Sequence, residues 1–132
     1  MQLNHSTDIA LRTLIYLGQK QGVATIVEIS AAFDISKTHL MKVVMTLVAA
    51  NYLNSIRGRN GGIQLGANPQ NISVADIVRL MESNLGLVVC MKAGSTNDIC
   101  PLLPRCKLKK VLIKAQNSFF DSLEKSSLAD LL

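Results

Sequence analysis

Apolar positions recur at helical spacing through the first third of the chain. Leu11, Leu14, Ile15 and Gly18 follow two candidate N-caps, Ser6 and Thr7, and Gly22 marks the end of this first predicted helix. A second, short helix fits Ile26 to Phe33, with Ile26, Ile29 and Phe33 on one face. Asp34 and Ile35 make a tight connection, and Ser36 caps a third helix whose inward stripe is Leu40, Val43, Val44, Leu47 and Val48. Three helices with a short turn before the third predict a helix-turn-helix.

The period then changes from helical to alternating. Tyr52–Ile56 and Gly62–Gly66 read as two short strands, joined by the Gly-rich turn Arg57-Gly58-Arg59-Asn60-Gly61-Gly62. A basic hairpin directly after a helix-turn-helix is the layout of a winged helix. Asn68-Pro69 breaks the chain, and Ser73 is placed to cap a fourth helix carrying Val74, Ile77, Val78 and Met81 on one side. Helical periodicity lapses from Asn84 to Arg105, where Gly86, Gly94, Pro101 and Pro104 occur.

A long last helix is predicted to begin near Pro104, a residue type suited to a first turn. Its main stripe is Leu108, Val111, Leu112, Ala115, Phe119 and Leu123, with Ile113 and Phe120 on a second face. One stripe can pack on the domain; the second face calls for another partner, which predicts a homodimer. The expected fold is therefore mainly α with a small two-stranded wing: a winged helix-turn-helix plus a long C-terminal dimerisation helix. The predicted division is a DNA-binding domain over 1–83, a cysteine-bearing loop over 84–106, and a dimerisation helix with C-terminal tail over 104–132.

Composition narrows the function. The 132 residues are 48% hydrophobic and 17% charged, enough to bury a core, with 14 Lys and Arg against 9 Asp and Glu for a formal charge of +5. Such an excess suits a polyanion, either nucleic acid or an acidic membrane surface. The longest uncharged apolar-rich stretch, Val43 to Ile56, is interrupted by Thr46 and Asn51-Tyr52 and falls short of the ~20 apolar residues a membrane span needs. The first residues lack the basic-then-apolar pattern of a secretory signal, so a cytoplasmic location with reduced thiols is expected. Without Trp, and with three Phe and two Tyr, a base-stacking RNA platform is disfavoured. The basic residues are spread over the third helix, the wing and the last helix rather than along one amphipathic stripe, which favours nucleic acid over membrane.

Two residue sets carry candidate chemistry. The first would contact DNA: Ser36, Lys37, Thr38, His39 and Lys42 near the start of the third helix, and Arg57, Arg59 and Asn60 in the wing. A recognition helix presents its N-terminal residues to base edges in the major groove, while wing arginines suit an adjacent narrow minor groove. The second set is Cys90, Cys100 and Cys106, spaced C-x9-C-x5-C in the Gly- and Pro-bearing loop. Three thiolates suit an iron–sulfur cluster or Zn²⁺, and spacing alone does not choose between them. On sequence chemistry Asp8 has a simpler role, a carboxylate in the first turn favoured by the helix dipole. No nucleophile–base pair or phosphate-cradling loop is present, and Gly58–Gly62 neither ends in G-K-[ST] nor opens a helix, so catalysis is not expected.

The order of these parts resembles the winged-helix iron–sulfur transcriptional repressors, the family that includes IscR and NsrR. The resemblance spans essentially the whole chain. It rests on Leu3 to Arg12, the wing Ile56-Arg57-Gly58-Arg59-Asn60-Gly61-Gly62-Ile63-Gln64-Leu65, the three-cysteine loop, and Leu128-Ala129-Asp130-Leu131-Leu132. It is closest to the nitric-oxide-sensitive NsrR branch, since Lys109 stands where the IscR branch has a histidine after its last cysteine. The resemblance implies a [4Fe-4S] cluster held by Cys90, Cys100 and Cys106 with Asp8 of the partner subunit, His5 being the alternative fourth ligand. The spacing of Cys90 from Cys100 is wider than the family's, and the excess around Gly94-Ser95-Thr96-Asn97-Asp98 reads as an insertion. It further implies a repressor that binds a palindromic operator as a dimer and releases it when nitric oxide attacks the cluster. A [2Fe-2S] or thiol-based redox or iron-responsive regulator of the same fold, and a zinc-stabilised DNA-binding protein, are the rival expectations.

Overall fold

The computed structural model describes residues 1–96 and 100–132. Its helices are α1 (His5–Lys20), α2 (Ile26–Phe33), α3 (Lys37–Ala49), α4 (Val74–Met81) and α5 (Lys107–Glu124), with strands β1 (Leu53–Ile56) and β2 (Gly62–Leu65) between α3 and α4. Short 3-10 turns occupy Pro69–Asn71, Val89–Met91 and Leu128–Leu131. Asn97 and Asp98 of the predicted insertion lie outside the described residues.

Helix α1 is capped by Asn4, not by Ser6 or Thr7: the Asn4 side chain accepts from the Thr7 N–H at 2.8 Å. It ends at Lys20, one residue before Gln21 turns left-handed (φ 55°) and two before Gly22. Asp34 closes α2 in the same left-handed conformation (φ 51°), a state that short polar side chains tolerate. Ser36 caps α3 as the pattern predicts, and Leu40, Val43, Val44 and Leu47 are buried. These four meet Ile9, Leu14 and Leu17 of α1 and Ile29 of α2 in one core. Each such side chain contributes about 1.5–3 kcal/mol through burial.

The wing pairs antiparallel, Leu53 opposite Leu65 and Ile56 opposite Gly62. It is also stitched to the helices. Ala24, between α1 and α2, exchanges two backbone hydrogen bonds with Ile63, at 2.9 and 2.8 Å. A side chain at position 62 would place its Cβ 2.4 Å from the Ala24 carbonyl oxygen, so the close approach requires Gly62.

Two predictions about the C-terminal half change. The last helix starts at Lys107 and not near Pro104, because Cys106 takes the N-cap: its Sγ accepts from the Lys109 N–H at 3.4 Å. Nor does α5 divide into one packed and one free face. Phe119, Phe120 and Leu123, drawn from both predicted faces, pack on Ala75 and Val78 of α4. Leu108, Val111 and Ile113 stay 60%, 64% and 40% exposed. Length explains this: an 18-residue α5 is about 27 Å long, whereas the eight-residue α4 spans about 12 Å and covers only one end.

The tail returns to the first core. Leu128 is 2% exposed among the residues of α1 to α3 and the wing. Its N–H donates to the Ile72 carbonyl at 2.8 Å, and the Val74 N–H donates to Ser126 at 3.1 Å. Ser73 stands at the cap position of α4, as predicted, but its side chain makes no capping bond. Among the described residues, no helix is long and apolar enough to cross a membrane.

Candidate nucleic-acid interface and cysteine segment

Helix α3 turns Lys37, Thr38 and Lys42 to solvent, and Ser36 beside them is exposed too. No acidic residue occurs in α3. His39 behaves differently. It is half-buried, with Nε2 3.0 Å from the Ser6 hydroxyl and its ring edge-on to His5 at 5.0 Å between centroids. His39 thus ties the start of α3 to the first turn of α1.

Arg57, Arg59 and Asn60 are exposed at the tip of the wing. The turn closes through the Gly61 N–H to the Gly58 carbonyl at 3.0 Å, and Gly58 sits at φ +107°, which disfavours any side chain there. The structure therefore sets cations on two exposed surfaces of one unit, α3 and the wing, with β2 anchored to the α1–α2 connection between them.

The cysteines occupy the segment that leads from α4 to α5. Cys90 lies in the turn Val89–Met91, Cys100 directly precedes Pro101, and Cys106 caps α5. All three are half-buried free thiols. Among the described residues, no three His, Cys, Asp or Glu side chains are gathered closely enough to hold a metal ion. Asp8 is on the first turn of α1, its Oδ1 2.9 Å from Arg12 Nε, with the carboxylate side chain 45% exposed. The donor types nonetheless suit a thiophilic centre, with three free thiols on one segment.

A family model described as Rrf2, iron-dependent transcriptional regulator, matches residues 3–132. The chain belongs to the Rrf2 family. It is similar over its whole length to the HTH-type transcriptional regulator NsrR of Bacillus licheniformis, at 41% identity and covering 92% of that protein. NsrR of Geobacillus kaustophilus is 42% identical, with 90% of it covered. Among solved structures, CymR, the global cysteine regulator of Bacillus subtilis, superposes with a TM-score of 0.78 at 25% identity, covering 99% of this chain and 95% of that one. Staphylococcus aureus CymR in its oxidized form gives 0.77 at 26% identity, with 99% and 95% covered. T. potens IscR shares the fold at 0.77 and 22% identity, with 99% and 85% covered. The Rrf2 chain is thus a winged-helix, DNA-binding transcriptional regulator of the NsrR type, and its relatives are regulators rather than enzymes.

Sequence reasoning missed three features of this Rrf2 chain. One is the α1–α4 latch: Glu82 Oε1 accepts from the Asn4 N–H at 2.8 Å and from the buried Thr7 hydroxyl at 2.6 Å, while Asn4 Nδ2 donates to the Met81 carbonyl at 3.0 Å. No local spacing signals a contact across 78 residues. Another is the α1–α2 tie, in which Glu28 takes hydrogen bonds from Lys20 at 2.5 Å and Tyr16 at 2.7 Å. The Lys20 bond, then the Tyr16 bond, hold the Glu28 carboxyl below its ordinary value. The third is the pair Met41 and Met45, exposed on α3. A helical wheel finds them, since neither falls on the inward stripe.

Proposed function

We propose that this Rrf2 protein is a repressor that binds a palindromic operator as a homodimer, and that an iron–sulfur cluster sensitive to nitric oxide sets its operator affinity. The reading rests on one observation: three free thiols lie on the segment joining α4 to the partly uncovered helix α5, in a chain 41% identical to an NsrR. Cys90, Cys100 and Cys106 would hold a [4Fe-4S] cluster, with Asp8 of a second copy as the fourth ligand and His5 as its alternative. When bound, such a cluster supplies thiolate-held iron that reacts with nitric oxide. Leu108, Val111 and Ile113, exposed at the N-terminal part of α5 beside the cysteine segment, would bury against the second copy.

On the DNA side, Lys37, Thr38 and Lys42, with the Ser36 cap, would enter the major groove, and Arg57, Arg59 and Asn60 would contact the flanking backbone or minor groove. His39 supports this as a positioning residue. Ser6, which it touches, lies two residues before Asp8, so a displacement of the first turn of α1 reaches the start of α3 through one side-chain contact. A hundredfold change in operator affinity corresponds to about 2.7 kcal/mol.

The test is anaerobic purification with iron and sulfide quantification, followed by operator binding before and after exposure to nitric oxide. Stoichiometric iron and sulfide with loss of binding on nitrosylation are expected. Iron-free protein with full operator affinity, or holoprotein whose affinity ignores nitric oxide, refutes the reading. A second reading draws on the superposition with a cysteine regulator also solved in an oxidized form. In it the same free thiols switch the same fold by oxidation, and a reversible, metal-independent response to peroxide distinguishes it. A [2Fe-2S] count or stoichiometric zinc would reassign the cofactor.

A further inference from the structure

The solvent side of α3 carries two residues that a purely polar interface leaves without a role. Met41 and Met45 are 52% and 69% exposed and stand one helical turn apart, so they lie on one side of the helix. Lys37, Thr38 and Lys42 share that side; together these are the first, second, fifth, sixth and ninth residues of α3. A partner for this strip must offer apolar contacts along its middle and negative charge at its margins, because every charge on α3 is positive. The major groove of DNA does both: phosphates line its edges, and on its floor the thymine C5-methyl is the apolar protrusion.

We propose that Met41 and Met45 read thymine methyl groups in the operator, which makes them specificity-determining side chains of the interface. The inference rests on α3 being the helix that enters the groove. Methionine suits the task because its unbranched, polarizable chain adapts to a methyl group at variable depth. It also offers no strong donor or acceptor, so it discriminates by the methyl rather than by hydrogen bonding. Cytosine in place of a contacted thymine removes the methyl and turns the groove-facing N4 N–H donor toward a thioether, a weak acceptor, so both effects oppose binding.

The probe is the duplex that the anaerobically purified full chain itself selects from a random pool, remade with single deoxyuridines in place of thymidines. That exchange deletes one methyl and keeps Watson–Crick pairing. Wild-type protein is expected to lose affinity about fourfold at each contacted methyl, the value of one buried methyl-sized group. With Met41→Ala or Met45→Ala the same exchange should cost nothing at the position that residue reads, while the salt dependence of binding stays that of wild type. Both residues are exposed, so folding of the variants is expected and is checked by circular dichroism; the wild-type comparison needs no variant. Equal affinity for the thymidine and fully deoxyuridine duplexes overturns the proposal. So does a deoxyuridine penalty undiminished in the double variant, or a double variant whose defect is in its oligomeric state. If no sequence is selected at all, the reading of α3 as recognition helix fails first, whereas salt-dependent selection without a methyl effect sinks only the methionine assignment.

Discussion

Replacing Leu128 with Ala tests whether the C-terminal tail belongs to the core of the DNA-binding unit. Leu128 is 2% exposed, surrounded by the α1–α3 core, and its N–H holds the Ile72 carbonyl at 2.8 Å. Truncating a buried leucine to alanine costs about 2–5 kcal/mol, depending on how far the surroundings collapse into the space. Leu128 sits in a short turn whose neighbours Asp130 and Leu131 are exposed and can shift, so the lower part of that range applies, about 2.5 kcal/mol. With an unfolding entropy of about 2.1 cal/mol/K per residue, that loss lowers the Tm of a 132-residue domain by about 9 °C. Urea unfolding monitored by far-UV circular dichroism, at one fixed protein concentration, gives the free energy directly. Leu131→Ala, at a position 40% exposed in the same turn, is the control and should change stability by less than ~1 kcal/mol. Equal small losses in both variants would show that the tail merely rests on the domain, and the packing argument would fall.

Other outcomes follow from the same geometry. Arg59→Ala should weaken DNA binding and reduce the slope of log affinity against log salt by about 0.9 if it makes one phosphate contact; an unchanged slope removes Arg59 from the contact set. Val111→Asp puts a carboxylate on the exposed end of α5, and sedimentation should show a monomer with helicity retained; a persistent dimer places the interface elsewhere. Glu82→Ala should destabilise the protein by about 2 kcal/mol through loss of two bonds to an ionised acceptor, while Glu82→Gln, which keeps a carbonyl oxygen, should cost clearly less; equal losses would mean the latch does not act through its acceptor. The Ser127 backbone N–H, then its hydroxyl, hold the Asp130 carboxyl below its ordinary value of 3.8, so the tail's capping box stabilises above that value and fails as pH falls through the lower folded-state value. Amide exchange at Leu128, corrected for intrinsic rates, should therefore accelerate on acidification in wild type and be independent of pH across that window in Asp130→Ala.

Local physics carried the reading of the winged unit. The stripe Leu40, Val43, Val44, Leu47 places α3, the Ser36 hydroxyl starts it, and the Gly-rich turn between two short alternating runs specifies the wing, because each depends on residues a few positions apart. Candidate cations on α3 and at the wing tip were legible for the same reason, as was the helical span of α2. Residues far apart in the chain settled the rest. Asn4 displaced Ser6 and Thr7 as cap while Glu82 engaged the same turn, His39 found Ser6, and the Ser126 carbonyl took the Val74 N–H at the start of α4. The lengthwise burial of α5 depended on how short α4 is, a property of neither helix alone. Propensity and periodicity act within a turn or two of chain, so they determine elements and their inward faces. Which partner satisfies a buried donor, and how much of a helix is covered, depends on close packing between distant segments, and that was decided only when the chain folded.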